Sequence, residues 1–274
     1  TRCKGCENRC LLTFNEFSNG KKFISGNRCE RGAGVDKSKK EIPNLYQYKY
    51  NRLFGYKPLE EKDAKRGTIG IPRVLNMYED YPFWFTLFTN LGFRVILSEK
   101  TNRKTYEKGM ESIESVCYPA KLSHGHVISL IQQGVKTIFY PCIMYSRKED
   151  EKANNSFNCP IVISYSETLK NNIEELKDVE FINPFLPLDK KGLSKRFMEI
   201  EEFKKYKFTK SELNNAIKKA EEEYQNFRED IHKKGIETLK YINEHNLRGI
   251  VLAGRPYHLD GEVNHGIDKM ITSL

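Results

Sequence analysis

Between residues 67 and 188 short β-branched runs alternate with helical stretches that end on glycine, and this alternation restricts the chain more than any other feature. "TIGIPRVL" (68–75), "FRVILSE" (93–99) and "VKTIFYP" (135–141) read as strands. "YPFWFTLFTNLG" (81–92) and "PAKLSHGHVISLIQQG" (119–134) read as helices, each with a proline at its start and a glycine at its close. "PIVISY" (160–165) and "VEFINPF" (179–185) read as two further strands, with a helix near 166–177 between them. Strands joined by helices predict a mostly parallel sheet covered on both faces. The expected fold class is therefore α/β, with a Rossmann-like domain over 67–188.

Around this domain the pattern changes. Residues 1–34 are cysteine-rich and contain "LLTFNEFSNGKKFIS", whose turn at Asn19-Gly20 is a hairpin signal. Residues 35–66 are charged and Tyr-rich without a clear period and read as a linker. Residues 189–247 read as a helical segment. "RGIVLAG" (248–254) reads as a new strand, and 255–274 as a loop entering a helix, together the start of a second, truncated α/β domain over 248–274. The chain begins at Thr1, not Met, which suggests a fragment or a processed chain. No apolar run approaches the roughly 18–20 residues that span a bilayer. A signal peptide is not seen, so the expected location is cytoplasmic.

The net charge is +9. Its basic residues are mixed with acids in "KEDEK", "FKKYKFTK" and "IKKAEEEY", which suits solvated helix faces. Nucleic-acid binding needs a basic stripe with interleaved aromatics and is not expected. An acidic small molecule, such as a phosphate-bearing thioester, suits the charge better.

Four of the seven cysteines stand at the front as Cys3-x2-Cys6-x3-Cys10-x18-Cys29. The short CxxC turn brings two sulfurs to one side, and a hairpin returns the last cysteine to them. Four thiolates suit tetrahedral zinc or an iron–sulfur cluster, and spacing does not choose between them. A metal-binding knuckle is expected, because so small a segment builds no core of its own.

Three cysteines fall in the α/β domain. Cys117 precedes the helix that begins near Pro119, where a thiolate is stabilised by the helix N-terminus. Cys142 ends the strand 135–141. Both are expected at the sheet edge where open α/β folds bind ligands. Cys159 precedes the strand expected at 160–165, which puts it at the opposite edge, roughly 17–20 Å away. Lys121 and His124, in the first turns after Cys117, are candidates to tune a metal group or contact an anion. His124 and His126 are two apart and do not share a helix face. Arg255, His258, Asp260 and His265 crowd one loop, where Arg255 suits a carboxylate or phosphate. Phe83, Trp84, Phe85 and Phe88 read as helix core. Glu79 and Asp80 read as N-terminal helix charges ahead of a catalytic pair.

The segments "IGIPRVLNMYEDYPFWFTLFTNLGFRVILS", "VCYPAKLSHGHV", "IFYPCI" and "GRPYHLDGEVNHGI" together resemble the large acyl-CoA dehydratase activase-related proteins, relatives of 2-hydroxyglutaryl-CoA dehydratase and benzoyl-CoA reductase systems. Where that family is expected to read RPYHLDPE, Gly261 replaces the proline. The resemblance implies a four-iron, four-sulfur cluster held by three cysteines between two Rossmann-like domains. Cys117 and Cys142 match the first two ligands, and the third would lie beyond Leu274, leaving an incomplete site here. It also implies partners: an ATP-dependent activase module or dehydratase subunits, with acyl-CoA as a further candidate. No phosphate-binding Gly-rich loop occurs, so an ATPase module is expected outside this chain. The first reading is an iron–sulfur electron-transfer or reductive-activation domain in a 2-hydroxyacyl-CoA dehydratase or reductase-type system. The alternatives are a non-enzymatic interaction module with a structural zinc site, and a cofactor-binding α/β enzyme without metal.

Overall fold

The computed structural model describes residues 1–4, 9–18, 20, 22–26, 42–110, 115–148, 150–188 and 192–272. The chain divides into two compact units, Leu53–Glu229 and Thr1–Arg52 with Asp230–Leu274.

The larger unit is α/β. Its sheet holds β3 (Thr68–Ile71), β4 (Arg94–Leu97), β5 (Thr137–Phe139) and β6 (Glu180–Ile182), in the order β4-β3-β5-β6 and parallel throughout. Between β3 and β4 runs α2 (Met77–Asn90). The crossover from β4 to β5 carries α3 (Arg103–Met110) and α4 (Tyr118–Gln132). α5 (Pro160–Asn172) joins β5 to β6. From β3 the chain moves outward to β4, then returns across β3 to β5. Under the right-handed rule for parallel crossovers, these opposite directions of travel put α2 on one face and α3, α4 and α5 on the other.

The α2 face is an aromatic core. Trp84 and Phe88 meet Phe139 of β5 at 5.0 and 4.8 Å between ring centroids. Phe88 also meets Phe197 of α6 (Leu193–Glu199), and Phe197 stacks on Phe203 at 4.7 Å. This bears out Phe83, Trp84, Phe85 and Phe88 as core: all four are buried. Helix α7 (Lys210–Glu244) buries Leu213, Ala216, Ala220, Tyr224 and Phe227, the three- and four-residue spacing of an apolar helix face.

The other face depends on two glycines. A Cβ at Gly125 of α4 would stand 2.1 Å from the Thr105 carbonyl oxygen, and one at Gly109 of α3 would stand 2.5 Å from the Lys121 carbonyl oxygen. The two helices therefore approach backbone to backbone, which only glycine permits.

The connection from β5 to α5 is long, and Arg147 anchors it to α2 and α7. The Arg147 guanidinium donates to Asp80 Oδ1 of α2 at 2.8 Å and reaches Glu221 of α7 at 3.5 Å. It also lies over the rings of Phe83 and Tyr224, at 4.7 and 4.0 Å. Asp80 is thus an arginine partner, and it stands with Glu79 in the first turn of α2, as the reading of helix-start charges expected.

Two expectations need correction here. Residues 160–165 form the first turns of α5 and not a strand. Pro160 occupies the first helical position, where its missing N–H costs nothing. Val162, Tyr165, Ser166 and Leu169 are the buried positions, a helical spacing that the β-branched run Ile161-Val162-Ile163 disguises. Among the described residues the sheet so has four strands, not five. In addition, α2 starts at Met77, ahead of Pro82, and Pro82 lies inside the helix.

In the smaller unit β1 (Thr13–Glu16) pairs antiparallel with β2 (Lys22–Ser25), with Gly20 at φ +78° near the turn. The Cys3 amide donates to the Cys10 carbonyl at 2.8 Å. Cys6 and Cys29 lie outside the described residues. Helix α1 (Leu45–Phe54) falls within the stretch read as a linker, and its Tyr46 hydroxyl donates to the Leu252 carbonyl at 3.2 Å. The strand expected over 248–254 is not formed: among the described residues it has no ladder partner, and Val251 is 93% exposed. The chain continues through a 3₁₀ turn at Pro256–Leu259 into α8 (Ile267–Thr272). Among the described residues no helix is long and apolar enough to cross a membrane.

The glycine contact is testable. Gly125→Ala is expected to lower stability by about 1–3 kcal/mol through overpacking, read as a fall in the urea midpoint at constant slope. Gly235→Ala in α7, where an added Cβ meets nothing within 4 Å, is expected to raise stability by up to about 1 kcal/mol.

Candidate functional site

In a parallel sheet the strand C-termini and the N-termini of the following helices share one edge. The order β4-β3-β5-β6 reverses direction between β3 and β5, and such a reversal opens a crevice at that edge. The residues just past each strand therefore define the candidate site.

Beyond β4, Ser98 is fully buried. Its hydroxyl accepts the Arg73 backbone N–H at 2.8 Å and contacts His126 Nδ1 at 2.9 Å. His126 Nε2 lies 3.1 Å from Thr101 Oγ1. The two hydroxyls of Ser98 and Thr101 hold the two ring nitrogens of His126, and the tautomer decides which hydroxyl donates. Burial, and then the Arg73 charge, hold His126 down to about 3. It is a neutral tie between α4 and the β4 end. His124 points elsewhere, with Nε2 3.1 Å from the Tyr165 hydroxyl of α5. The two histidines therefore serve different neighbours, as their spacing predicts.

Beyond β5, side chains alternate. Phe139 faces α2, whereas Tyr140 and Cys142 face α4 and α5. The chain keeps the β6 register past the strand: the Tyr140 amide donates to Ile182 O at 3.0 Å and the Cys142 amide to Pro184 O at 2.9 Å. Cys142 Sγ lies 3.0 Å from Ser166 Oγ of α5 and 3.8 Å from the Asn183 carbonyl. Burial pushes this thiol up, against a smaller opposing pull from Ser166.

Beside Cys142 the buried Asn183 Nδ2 lacks a hydrogen-bond partner among the described residues, while the buried Tyr140 hydroxyl is within reach of Ser123. A buried group left unpaired costs about 1–3 kcal/mol. Sequence reasoning passed over both. The available signals are that Tyr140 lies two residues before Cys142 on the same strand face, and that Asn183 directly follows β6.

The three domain cysteines stand at one edge but not at one depth. Cys117 is the exposed N-cap of α4, and Cys159 is the half-buried N-cap of α5. Placing Cys159 at the opposite edge is corrected by the helical state of 160–165. His124, seven residues past Cys117, meets Tyr165, six past Cys159. The caps of these neighbouring helices thus stand at about equal height. Cys142 meets Ser166, about two turns or ~10 Å further in. Lys121 is half-buried in the first turn of α4, its carbonyl against Gly109.

In the smaller unit, His258 Nδ1 accepts the Arg255 backbone N–H at 2.8 Å, and the His258 amide donates to the Arg255 carbonyl at 2.9 Å. His258 so caps its own turn, while the Arg255 side chain is on the surface. Asp260 Oδ1 accepts the amides of Glu262 and Val263. These residues shape a loop.

Thiol donors match the chemistry of iron–sulfur or zinc binding. Cys117, Cys142 and Cys159 supply soft donors to one edge, with the unpaired Asn183 amide beside Cys142. No group of three His, Cys, Asp or Glu side chains placed to hold a metal ion occurs among the described residues. The edge therefore offers part of a ligand set.

Two measurements check this arrangement. Limited alkylation of the native protein, read by peptide mass spectrometry, is expected to modify Cys117 first, Cys159 next and Cys142 last. His126 gives a pH signature. Between about 3 and 6.5 the unfolded chain binds a proton there that the folded chain does not, so stability rises with pH through that window. His126→Gln is expected to flatten the rise between pH 5 and 6.5 in urea denaturation.

The sequence profile described as CoA enzyme activase uncharacterised domain matches residues 68–274. No curated protein and no solved structure matches the chain. The profile takes in the whole parallel sheet, its edge and the loop from Arg255 to His265, well over half of the chain. The protein belongs to the CoA enzyme activase uncharacterised domain family.

Proposed function

We propose that the chain is an iron–sulfur electron-transfer or reductive-activation component of an acyl-CoA dehydratase activase-like system, with Cys117 and Cys142 as thiolate ligands of a four-iron, four-sulfur cluster. Family membership supports an activase-like role. The observation that carries the finer reading is the delivery of two cysteines to the ligand-binding edge from separate elements, Cys117 from the α4 cap and Cys142 from the end of β5. Thiols of this kind are the usual iron–sulfur ligands, and a bound cluster supplies a one-electron carrier. The partners in this reading are an ATP-hydrolysing activase module and dehydratase subunits, with an acyl-CoA as the substrate they share.

The chain's own contribution is to hold and shield. Cys142 is 1% exposed and its thiol is pushed up by burial. It stays protonated until a metal displaces the proton. Cys117, at the exposed cap, faces the side from which a partner approaches. Lys121, one turn further on, supplies a cation near the same cap.

A second reading has one observation behind it. The Cys3 amide-to-Cys10 carbonyl bond sets two front cysteines beside each other, as a structural zinc site at Cys3, Cys6, Cys10 and Cys29 requires. The two readings are compatible.

Anaerobic reconstitution with iron and sulfide is expected to give absorbance near roughly 400 nm and a paramagnetic signal on reduction. Cys117→Ser and Cys142→Ser are each expected to cut the bound iron at least severalfold. Full-length protein that takes up no iron defeats the first reading. Stoichiometric zinc that disappears in Cys3→Ser supports the second.

A further inference from the structure

We propose that the cavity between α2, α6 and α7 binds a small uncharged chain, apolar with amide groups along it, of the kind that forms the pantetheine arm of an acyl-CoA. The proposal takes the acyl-CoA from the reading above, needs no iron, and adds a binding site on the other face of the sheet from the thiols.

The cavity has a volume of about 530 Å3, and the residues that line it belong to the larger unit. Its floor is apolar: Phe83 of α2, Leu188 past β6, Leu193 of α6 and Ile217 of α7. Phe83 stands in the second turn of α2, and Leu188 follows the end of β6. The cavity therefore lies toward the edge where the strands end, the side on which open α/β sheets take ligands. The opposite wall is a stripe of α7. Asn214, Ile217, Lys218, Glu221 and Gln225 recur at steps of three and four residues, beside the stripe that α7 buries in the core.

Shape restricts the occupant. Spread along the about 18 Å that α7 rises between Asn214 and Asn226, the volume leaves a cross-section of about 30 Å2. A peptide helix, about 10–12 Å across with its side chains, needs more than twice that section. A single extended chain fits.

Charge restricts it further. Glu221 accepts from the Arg147 guanidinium at 3.5 Å and from the Gln225 amide at 3.2 Å. Arg147 in turn holds Asp80 at 2.8 Å, and Lys218 stands 3.9 Å from Glu222. Three carboxylates thus face two cations around this wall among the described residues, a balance that disfavours phosphate and free carboxylate. The uncharged polar groups of the wall include the exposed side-chain amides of Asn214 and Asn226. An amide both donates and accepts, so it suits amide and thioester groups of a neutral ligand. An apolar floor with a few polar groups above it is the usual composition of a small-molecule site. The phosphates of an acyl-CoA would stay outside.

The chain carries its own reporter. Trp84, the single tryptophan, meets the Phe83 ring edge to face at 5.0 Å. The test titrates the full chain, without iron, with S-butyrylpantetheine, with butyryl-CoA and with inorganic phosphate. Trp84 fluorescence and the thermal melt are read. S-butyrylpantetheine is expected to give a saturable fluorescence change and a raised melt, and phosphate neither. A raised melt with butyryl-CoA as well assigns the site to the arm of a CoA thioester, and a rise with S-butyrylpantetheine alone assigns it to the free arm; both support the site. Ile217→Arg, at a half-buried position, fills the cavity and is expected to abolish the response. Asn214→Leu, at an exposed position, is expected to weaken it severalfold, and it decides if Ile217→Arg fails to fold. No saturable response to S-butyrylpantetheine, an equal response to phosphate, or a response unchanged in the folded variants overturns the proposal. A chain that takes up iron but ignores the thioesters loses this site and keeps the iron–sulfur reading. One that binds the thioester and takes up no iron does the reverse.

Discussion

The larger unit depends on a sheet buried on both faces, with β5 near its middle. A strand in that position must send alternate side chains in opposite directions. Phe139 goes into the aromatic layer with Trp84, Phe88 and Phe203. Tyr140 and Cys142 go to the α4–α5 side, where hydroxyls, an imidazole and an amide collect. The apolar face holds the strand in place, and the polar face positions the thiol. A shift of one residue in β5 would exchange the two sets.

The helical face is tightened by two glycines. Gly109 and Gly125 let α3 and α4 touch through their backbones. This fixes α4, whose N-cap is Cys117 and whose next turns carry Lys121, His124 and His126. His126 then ties the helix to Ser98 and Thr101 past β4. The placement of Cys117 is thus decided by residues eight and more positions away from it.

Much of this was legible in the sequence, and the failures have physical causes. The strands at Thr68, Arg94, Thr137 and Glu180 were readable from β-branched runs bounded by Gly92 and Gly134. The core role of the Phe83–Phe88 stretch was readable from helical spacing. The run Ile161-Val162-Ile163 misled because β-branching suits a strand locally, while burial of Tyr165, Ser166 and Leu169 against the neighbouring layer decides for helix. That one error moved Cys159 to the wrong edge. The strand expected at 248–254 had local propensity without a ladder partner, and propensity alone does not form a strand. Asn183 was missed because an unpaired donor is a property of surroundings, not of a residue.

Arg147 has a structural consequence for the segment that links Cys142 to Cys159. Held between Asp80 and Glu221 and covered by Phe83 and Tyr224, it divides that segment into two separate spans. Just before it, Ser146 is linked to Asn158 at 2.6 Å, drawing the returning strand of the loop alongside the outgoing one. Excursions of the solvent-side tip therefore end at the guanidinium, and the inner span keeps the stillness of the sheet. Length added to that tip in a relative would cost little entropy and would leave the thiol where it is.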